Sequence, residues 1–303
     1  VCPALQFKPK LPTPNFAPEA HQSANPFLPP YVPNLYVGEL ASEDGDHVIL
    51  VRARGLLLPG PHSRSTQLNK YSVVPEHFLL VTREQVSQQS PLFPADLVHT
   101  YDLLDAARAA GRPSFAFYNC GDRSGASQHH KHLQVLPTEP AGPPIERLAR
   151  AATLQVQARP FTLSALPYAN HVVRLPLGLA SFSPDARAQV LTDAFLSVLD
   201  LAIATVRHDP TYPAGAPSYN VLLTPEHIHV IPRRLEHATL ASGEPLSVNS
   251  LAFAGYVLVK SDQQLAAVKD EVSSAPSDLK LVLTGVCTGS CEHSTWCGVG
   301  ERA

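Results

Sequence analysis

Apolar positions recur along this chain at two periods. Short apolar or alternating runs predict strands at 48–51, 71–74, 78–82, 114–118 and 130–136. Further strands are predicted at 169–175, 218–223, 227–231 and 253–260. Helical spacing governs 94–111, where Leu97, Tyr101, Leu104 and Ala107 share a face and Gly111 stops the helix. A short helix is expected at 145–152. A longer one is opened by Ser183-Pro184 and runs to about Arg207. Ser261 caps a last helix with Leu265, Val268 and Val272 on one side. Mixed strands and helices without regular alternation predict an α+β fold with largely antiparallel pairing. The segments SFAFYNCG…HHKHLQVLP and SYNVLLTPEHIHVIP repeat one strand–loop–strand pattern, which suggests two related halves.

Composition narrows the function classes. With 44% hydrophobic and 16% charged residues, a 303-residue chain can bury a sizeable core and is not a disordered protein. A formal charge of -3 gives no general field for nucleic acid or anionic membrane, so a polyanion must be met by a local site. No run approaches 18 consecutive apolar residues, and no membrane span is expected. The start, Val1-Cys2-Pro3-Ala4, does not read as a signal peptide. The five cysteines are not spaced as a disulfide framework, which favours a cytoplasmic location, with the nucleus as a second compartment. The chain begins at Val1 and contains no Met, which reads as a trimmed or partial product. Residues 1–35 are too rich in proline for helix or central strand.

The chemistry concentrates in Asn119 to Gln128 and the HHKHLQ segment that follows. On a strand, His130, His132 and Gln134 share one face, while Lys131, Leu133 and Val135 share the other. Just upstream, Ser124-Gly125-Ala126-Ser127 can turn backbone amides inward as an anion nest, with two hydroxyls as further donors. An imidazole beside such a nest can attack phosphorus through Nε2, provided Nδ1 donates to a carbonyl. A metal site or a satisfied polar cluster is the competing reading of the same histidines.

NCGDRSGASQHHKHLQ resembles the active-site segment of diadenosine tetraphosphate phosphorylases (ATP adenylyltransferases), in the uridylyltransferase-like branch of the histidine triad superfamily. PALQFKPK, NKYSVVPEHFLLVTRE, SYNVLLTPEHIHVIPR and VNSLAFAGYVLVKS extend the resemblance in order along the chain. It implies a histidine-triad-like, largely antiparallel sheet flanked by helices. It also implies phosphorolysis of the dinucleotide to ADP and ATP through a covalent AMP-histidine intermediate, with sulfate as a possible alternative acceptor. By the family pattern His132 is the nucleophile, His130 supports it, and Gln134 holds a phosphate oxygen. The family's nucleotide and phosphate contacts fall on Lys8, Asn69, Lys70 and Asn119, on Ser124, Gly125, Ala126, Ser127 and Gln128, and on Asn249, Ser250, Leu251, Tyr256 and Lys260. The implied partners are a dinucleoside polyphosphate, ATP, ADP and phosphate, with no nucleic acid and no membrane. The protein is expected to be a monomer. A divalent cation, magnesium or manganese, would travel with the nucleotide, with no resident metal and no organic cofactor.

We divide the chain at 1–158, carrying the His-x-His-x-Gln motif, 159–275, resembling the family's C-terminal part, and an atypical tail at 276–303. Three features depart from the family. The 52–67 stretch reads as an insertion, His227-Ile-His229 replaces Trp-containing apolar sequence, and the tail's Cys287, Cys291, Cys297 and His293 match no standard zinc spacing. We expect neither catalysis from His227 and His229 nor zinc in the tail. The rival functions are another nucleotidyltransferase of the superfamily and an inactive nucleotide-binding fragment.

Overall fold

The structure is a computed structural model that describes residues 25, 27–31, 36–41, 46–52, 76–154, 156, 158–274 and 287. The strand expected at 71–74, the 53–67 part of the insertion and nearly all of the tail lie outside the described residues.

Chain order begins with β1 (Tyr36–Leu40), β2 (His47–Arg52), β3 (His77–Thr82), α1 (Pro94–Ala109), β4 (Ser114–Cys120), β5 (His132–Pro137) and α2 (Pro144–Ala151). It continues with β6 (His171–Arg174), α3 (Pro184–Arg207), β7 (Ser218–Leu223), β8 (His227–Arg233), β9 (His237–Thr239) and β10 (Pro245–Ser247). Two helices, α4 (Ser250–Ala254) and α5 (Asp262–Ser274), complete it. Eight strands form one sheet in the order β1-β2-β3-β5-β4-β7-β8-β6, and every pairing is antiparallel. β9 and β10 form a separate ribbon.

Local chemistry explains the helix ends. Pro184 occupies the first turn of α3, and the Ser183 hydroxyl accepts from the Ala186 amide at 3.3 Å. Leu191, Phe195, Val198, Leu199, Ala202 and Val206 then form the buried stripe. α3 is long and apolar enough to cross a membrane by composition alone. Here its stripe lies on β6, β8 and α1, as in a core helix.

Helices α1 and α3 cover one face of the sheet, burying Leu80, Tyr118, Leu133, Val135, Val221 and Val230. On the other face, α2, α4 and α5 cover the β4-β7-β8 region around Phe117, Leu222 and Ile231. A smaller cluster of Phe27, Val48, Leu50, Leu79 and Val81 covers β2 and β3. β5 runs between these two clusters, so the face carrying His132 and Gln134 lies at their junction.

Three expectations require correction. Residues 253–260 are not a strand. Asn249 accepts from the Leu251 amide at 3.0 Å and opens α4, and Gly255 at φ 105° ends it. A short apolar run cannot separate helix from strand by period alone, and the cap decides. β4 runs two residues further than expected, because Asn119 and Cys120 pair with Asn220 and Tyr219 of β7.

The strand expected at His130 begins instead at His132. There the buried Gln88 side chain enters between β4 and β5: Oε1 accepts from the His132 amide at 2.8 Å, and Nε2 donates to the Asn119 carbonyl at 2.8 Å. It substitutes for the ladder and parts the two strands where Asn119 and His132 stand.

Candidate active site

The β5 alternation is realised in side-chain contacts. Lys131 points to the α1 side, fully buried, with Nζ 2.5 Å from Asp96 Oδ2 and 2.7 Å from the Pro91 carbonyl. Asp96 also accepts from His47 Nε2 at 2.7 Å and the Phe93 amide at 2.6 Å. Burial alone would raise this carboxyl, but the bonds from His47 and Lys131 outweigh it and hold it below its ordinary value. The back of the motif strand is therefore pinned by a buried ion pair that apolar patterning did not reveal.

On the other face stand His130, His132 and Gln134, all buried. His132 Nδ1 lies 2.9 Å from the His130 carbonyl. A carbonyl only accepts, so Nδ1 carries the proton and the ring's lone pair is on Nε2. That is the tautomer a nitrogen nucleophile requires. His130 Nε2 lies 2.8 Å from the Thr82 carbonyl, and burial lowers the pKa of this histidine. The Phe27 ring covers the pair, its centroid 5.1 Å from His132 and 5.8 Å from His130.

A polar chain ties the neighbouring β4 to the second half of the molecule. The Asn119 side-chain oxygen accepts from Asn220 Nδ2 at 2.8 Å, the Ser250 amide at 3.0 Å and the Ser250 hydroxyl at 2.7 Å. Asn220 in turn donates to the Ser124 carbonyl at 2.9 Å and accepts from Arg233 at 2.6 Å. Arg233 is fully buried and also donates to the carbonyls of Val248 and Leu235, at 2.9 and 2.7 Å. Burial lowers its pKa to about 10. Gly125, at φ 78°, packs so closely on this segment that a Cβ would lie 2.7 Å from the Val248 carbonyl oxygen.

Asn119, the 124–128 loop and Asn249-Ser250-Leu251 thus converge, although they are far apart in sequence. Gly125 and Ala126 are half-buried, and Ser127 and Gln128 are exposed at the loop's outer side. The Ser124 hydroxyl donates to the Gly121 carbonyl at 2.6 Å and closes the loop, so it is not the spare donor that its position suggested. Leu251 lies in the apolar core. Tyr256 stands apart from His132, at the far end of β5: its hydroxyl is 3.2 Å from Thr138, and its ring stacks on Phe115. Lys260 is exposed, and its amide donates to Gln264. Lys8, Asn69 and Lys70 lie outside the described residues. Sequence reasoning missed Gln88, Asn220 and Arg233. Asn220 was visible as the counterpart of Asn119 in the repeated SYNVLL and SFAFYNC strands.

Two family models match this chain: the Ap4A phosphorylase N-terminal domain over residues 62–150 and the ATP adenylyltransferase C-terminal domain over residues 164–287. The chain belongs to the Ap4A phosphorylase family. Diadenosine tetraphosphate phosphorylase 2 of Saccharomyces cerevisiae is 34% identical over 218 residues, covering 67% of this chain and 64% of that protein. Protein APA1 of the same yeast is 30% identical over 212 residues, again covering 67% of this chain and 64% of its own length. The matches thus span less than two thirds of these curated relatives. The crystal structure of yeast Ap4A phosphorylase Apa2 superposes with a TM-score of 0.67 at 29% identity, covering 88% of this chain and 79% of that one. The complex of Apa2 with Ap4A gives 0.64 at 27% identity, over 85% and 78%. The antiparallel sheet flanked by helices is therefore the phosphorylase family's histidine-triad-like fold.

The second histidine pair of this phosphorylase-family chain is built differently. His227 Nδ1 lies 2.8 Å from Glu146 Oε1, and Arg174 Nε donates to His227 Nε2 at 3.0 Å. His229 Nε2 is 3.6 Å from Glu146 Oε2, too long for a hydrogen bond. Burial would raise the Glu146 carboxyl, but His227 and His229 hold it down at about 2. Glu146, Glu226 and His227 bring ligand atoms within 4.8 Å of one another, as a metal site would. Arg174 already occupies His227, however, and Arg150 grips Glu226 with two bonds of 2.8 and 2.6 Å. The guanidinium groups supply the cations that this cluster needs.

Proposed function

We propose that this protein is a nucleotidyltransferase that cleaves diadenosine tetraphosphate with phosphate, yielding ADP and ATP. The observation that carries this reading is the His132 Nδ1–His130 carbonyl contact, which places the reactive lone pair on Nε2. In the first step that lone pair forms a bond to the α-phosphorus, and the P–O bond to the departing ATP breaks. In the second, a phosphate oxygen attacks the same phosphorus and the N–P bond breaks. ADP leaves and the imidazole returns to its neutral form. Sulfate can take the place of phosphate in that second step.

Gln134, on the same face of β5, is assigned to a nonbridging oxygen, where a neutral carboxamide stabilises charge without shuttling protons. Asn119, the 124–128 loop and the 249–251 turn are assigned to the phosphates and ribose. Lys8, Asn69, Lys70, Tyr256 and Lys260 are assigned to the outer part of the nucleotide. A divalent cation, magnesium or manganese, accompanies the polyphosphate and neutralises it. We place the protein in the cytoplasm as a monomer. The Ap4A bound in one structure of yeast Apa2 and the AMP bound in another support this ligand class.

The test is intact mass after incubation with diadenosine tetraphosphate and magnesium in the absence of phosphate. Wild type should gain one AMP and release it as ADP when phosphate is added. His132→Ala should gain nothing, with turnover down by at least about a thousandfold. Nucleotide binding without a mass gain in wild type would replace this reading with that of an inactive binding protein.

A further inference from the structure

His132 Nδ1 keeps its proton and donates it to the His130 carbonyl, and the His130 ring stands beside it under the same Phe27 ring, so the charge state of His130 bears on the nucleophile. Three contacts define that state. His130 Nε2 faces the Thr82 carbonyl at 2.8 Å and the Thr82 hydroxyl at 3.0 Å. The hydroxyl donates to the Glu84 carbonyl at 2.9 Å, so towards the ring it offers a lone pair. Both neighbours of Nε2 are acceptors, and Nε2 carries a proton.

The other ring nitrogen, Nδ1, meets Asn25 Nδ2 at 3.0 Å. An amide can usually be turned over without changing its shape, but this one is fixed, because its Oδ1 accepts from the Phe27 amide at 3.0 Å. Asn25 therefore presents N–H to His130, and His130 Nδ1 must be a bare acceptor. Protonating it would set one N–H against another.

We propose that Asn25 and Phe27 together form a tautomer clamp. Asn25 is a positioning residue that keeps His130 neutral, and Phe27 keeps water off both rings. The clamp rests on the functional reading above and adds a residue that the motif does not contain. Its purpose follows from charge. When His132 Nε2 bonds to phosphorus its ring becomes cationic, and a second cation at His130 would oppose that step.

The surroundings hold few competing charges. Lys131 is turned to the opposite face and neutralised by Asp96. Arg83 reaches away to Glu39 and Asp46, and Glu84 contributes its carbonyl. His132 follows two residues on, and His129, the preceding neighbour, is exposed. The clamp itself adds Asn25, Phe27 and no ionised side chain among its described residues.

Asn25→Asp separates the alternatives. The carboxylate keeps the size and the bond to the Phe27 amide but turns a donor into an anion beside Nδ1. The acidic limb of the pH profile for AMP-histidine formation should move upward by about one to two pH units. The rate should fall on the acidic side of the profile and recover at alkaline pH. An unshifted profile in folded Asn25→Asp would overturn the clamp. Nitrogen-15 spectra of wild-type His130 supply a check that needs no variant and no turnover. The Nε2–H tautomer at pH 7 is expected, and an Nδ1–H tautomer or an imidazolium would overturn the proposal. Absence of any AMP gain in wild type would sink the functional reading while leaving this spectroscopic test intact.

Discussion

The β4–β5 hairpin carries His132 and Gln134, and the β7–β8 hairpin carries His227 and His229, on the same face of one sheet. Register shows it: Gln134 lies opposite Phe117, Phe117 opposite Leu222, and Leu222 opposite His229. Three strand spacings, about 14 Å, separate the two histidine strands. His132 and His227 even share a tautomer, since each has Nδ1 against an acceptor. What differs is the partner. His132 leans on a carbonyl, which orients the ring without adding charge. His227 leans on the buried carboxylate of Glu146, and Arg174 takes its Nε2 lone pair. The same His-x-His spacing is thus held by a neutral backbone carbonyl in one hairpin and by a buried carboxylate and a guanidinium in the other.

If that contrast is right, damage to the two hairpins should be read out in different experiments. The largest stability loss is expected from Glu146→Ala, which leaves the buried His227, itself bonded to Arg174, without the carboxylate at its Nδ1. Breaking such a network costs about 3–5 kcal/mol, to be measured by urea unfolding. His132→Ala should cost clearly less stability while removing the AMP adduct. The same carboxylate predicts an acid dependence. Its folded pKa is about 2 against an ordinary 4.5, so its stabilisation is present above 4.5 and is lost as pH falls through 2. The urea midpoint of Glu146→Gln should therefore depend less on pH over that window than that of wild type. Equal acid slopes would break the assignment of Glu146 as the second hairpin's anchor.

A smaller effect tests how the hairpins are joined. Gly125 is at φ 78°, and a methyl group there would meet the Val248 carbonyl and Asn249. Gly125→Ala should cost about 1–3 kcal/mol. It should also raise KM for the dinucleotide, because the loop can no longer close on the 248–250 turn. An unchanged KM would detach that loop from the nucleotide site.

Only the first hairpin's side of this contrast is legible in the sequence, where neither Glu146 nor Arg174 announces itself as a partner of His227. The face shared by His132 and Gln134 follows from strand alternation alone, and the ends of α1 and α3 follow from Pro94, Gly111, Ser183 and Pro184. What stayed hidden depends on contacts distant in sequence. Gln88 replaces ladder bonds, Lys131 is neutralised by Asp96 across the interface between the sheet and α1, and Arg233 reaches Asn220 and Val248. Each is a polar residue in a position where pattern reading expects solvent or core. The 253–260 segment failed for another reason, since its apolar run suits either element and a single Asn249 cap decides the outcome.

The smallest effect is expected at His229, and it bears most directly on the contrast. Neither ring nitrogen of this buried residue makes a hydrogen bond, and burial lowers its pKa, so at neutral pH the ring is uncharged. Unlike His227 it does not complete the ion network, because Glu146 keeps its 2.8 Å bond to His227 without it. His229→Leu removes an unsatisfied polar group and fills the space with apolar surface. The two terms oppose the loss of a 3.6 Å contact with Glu146. Stability should stay within about 1 kcal/mol of wild type, and AMP-histidine formation within about twofold. A loss as large as that of Glu146→Ala would make His229 a full member of the network. A loss of the AMP adduct in a stable variant would mean that the second hairpin shares in the chemistry, and the division between the hairpins would fall.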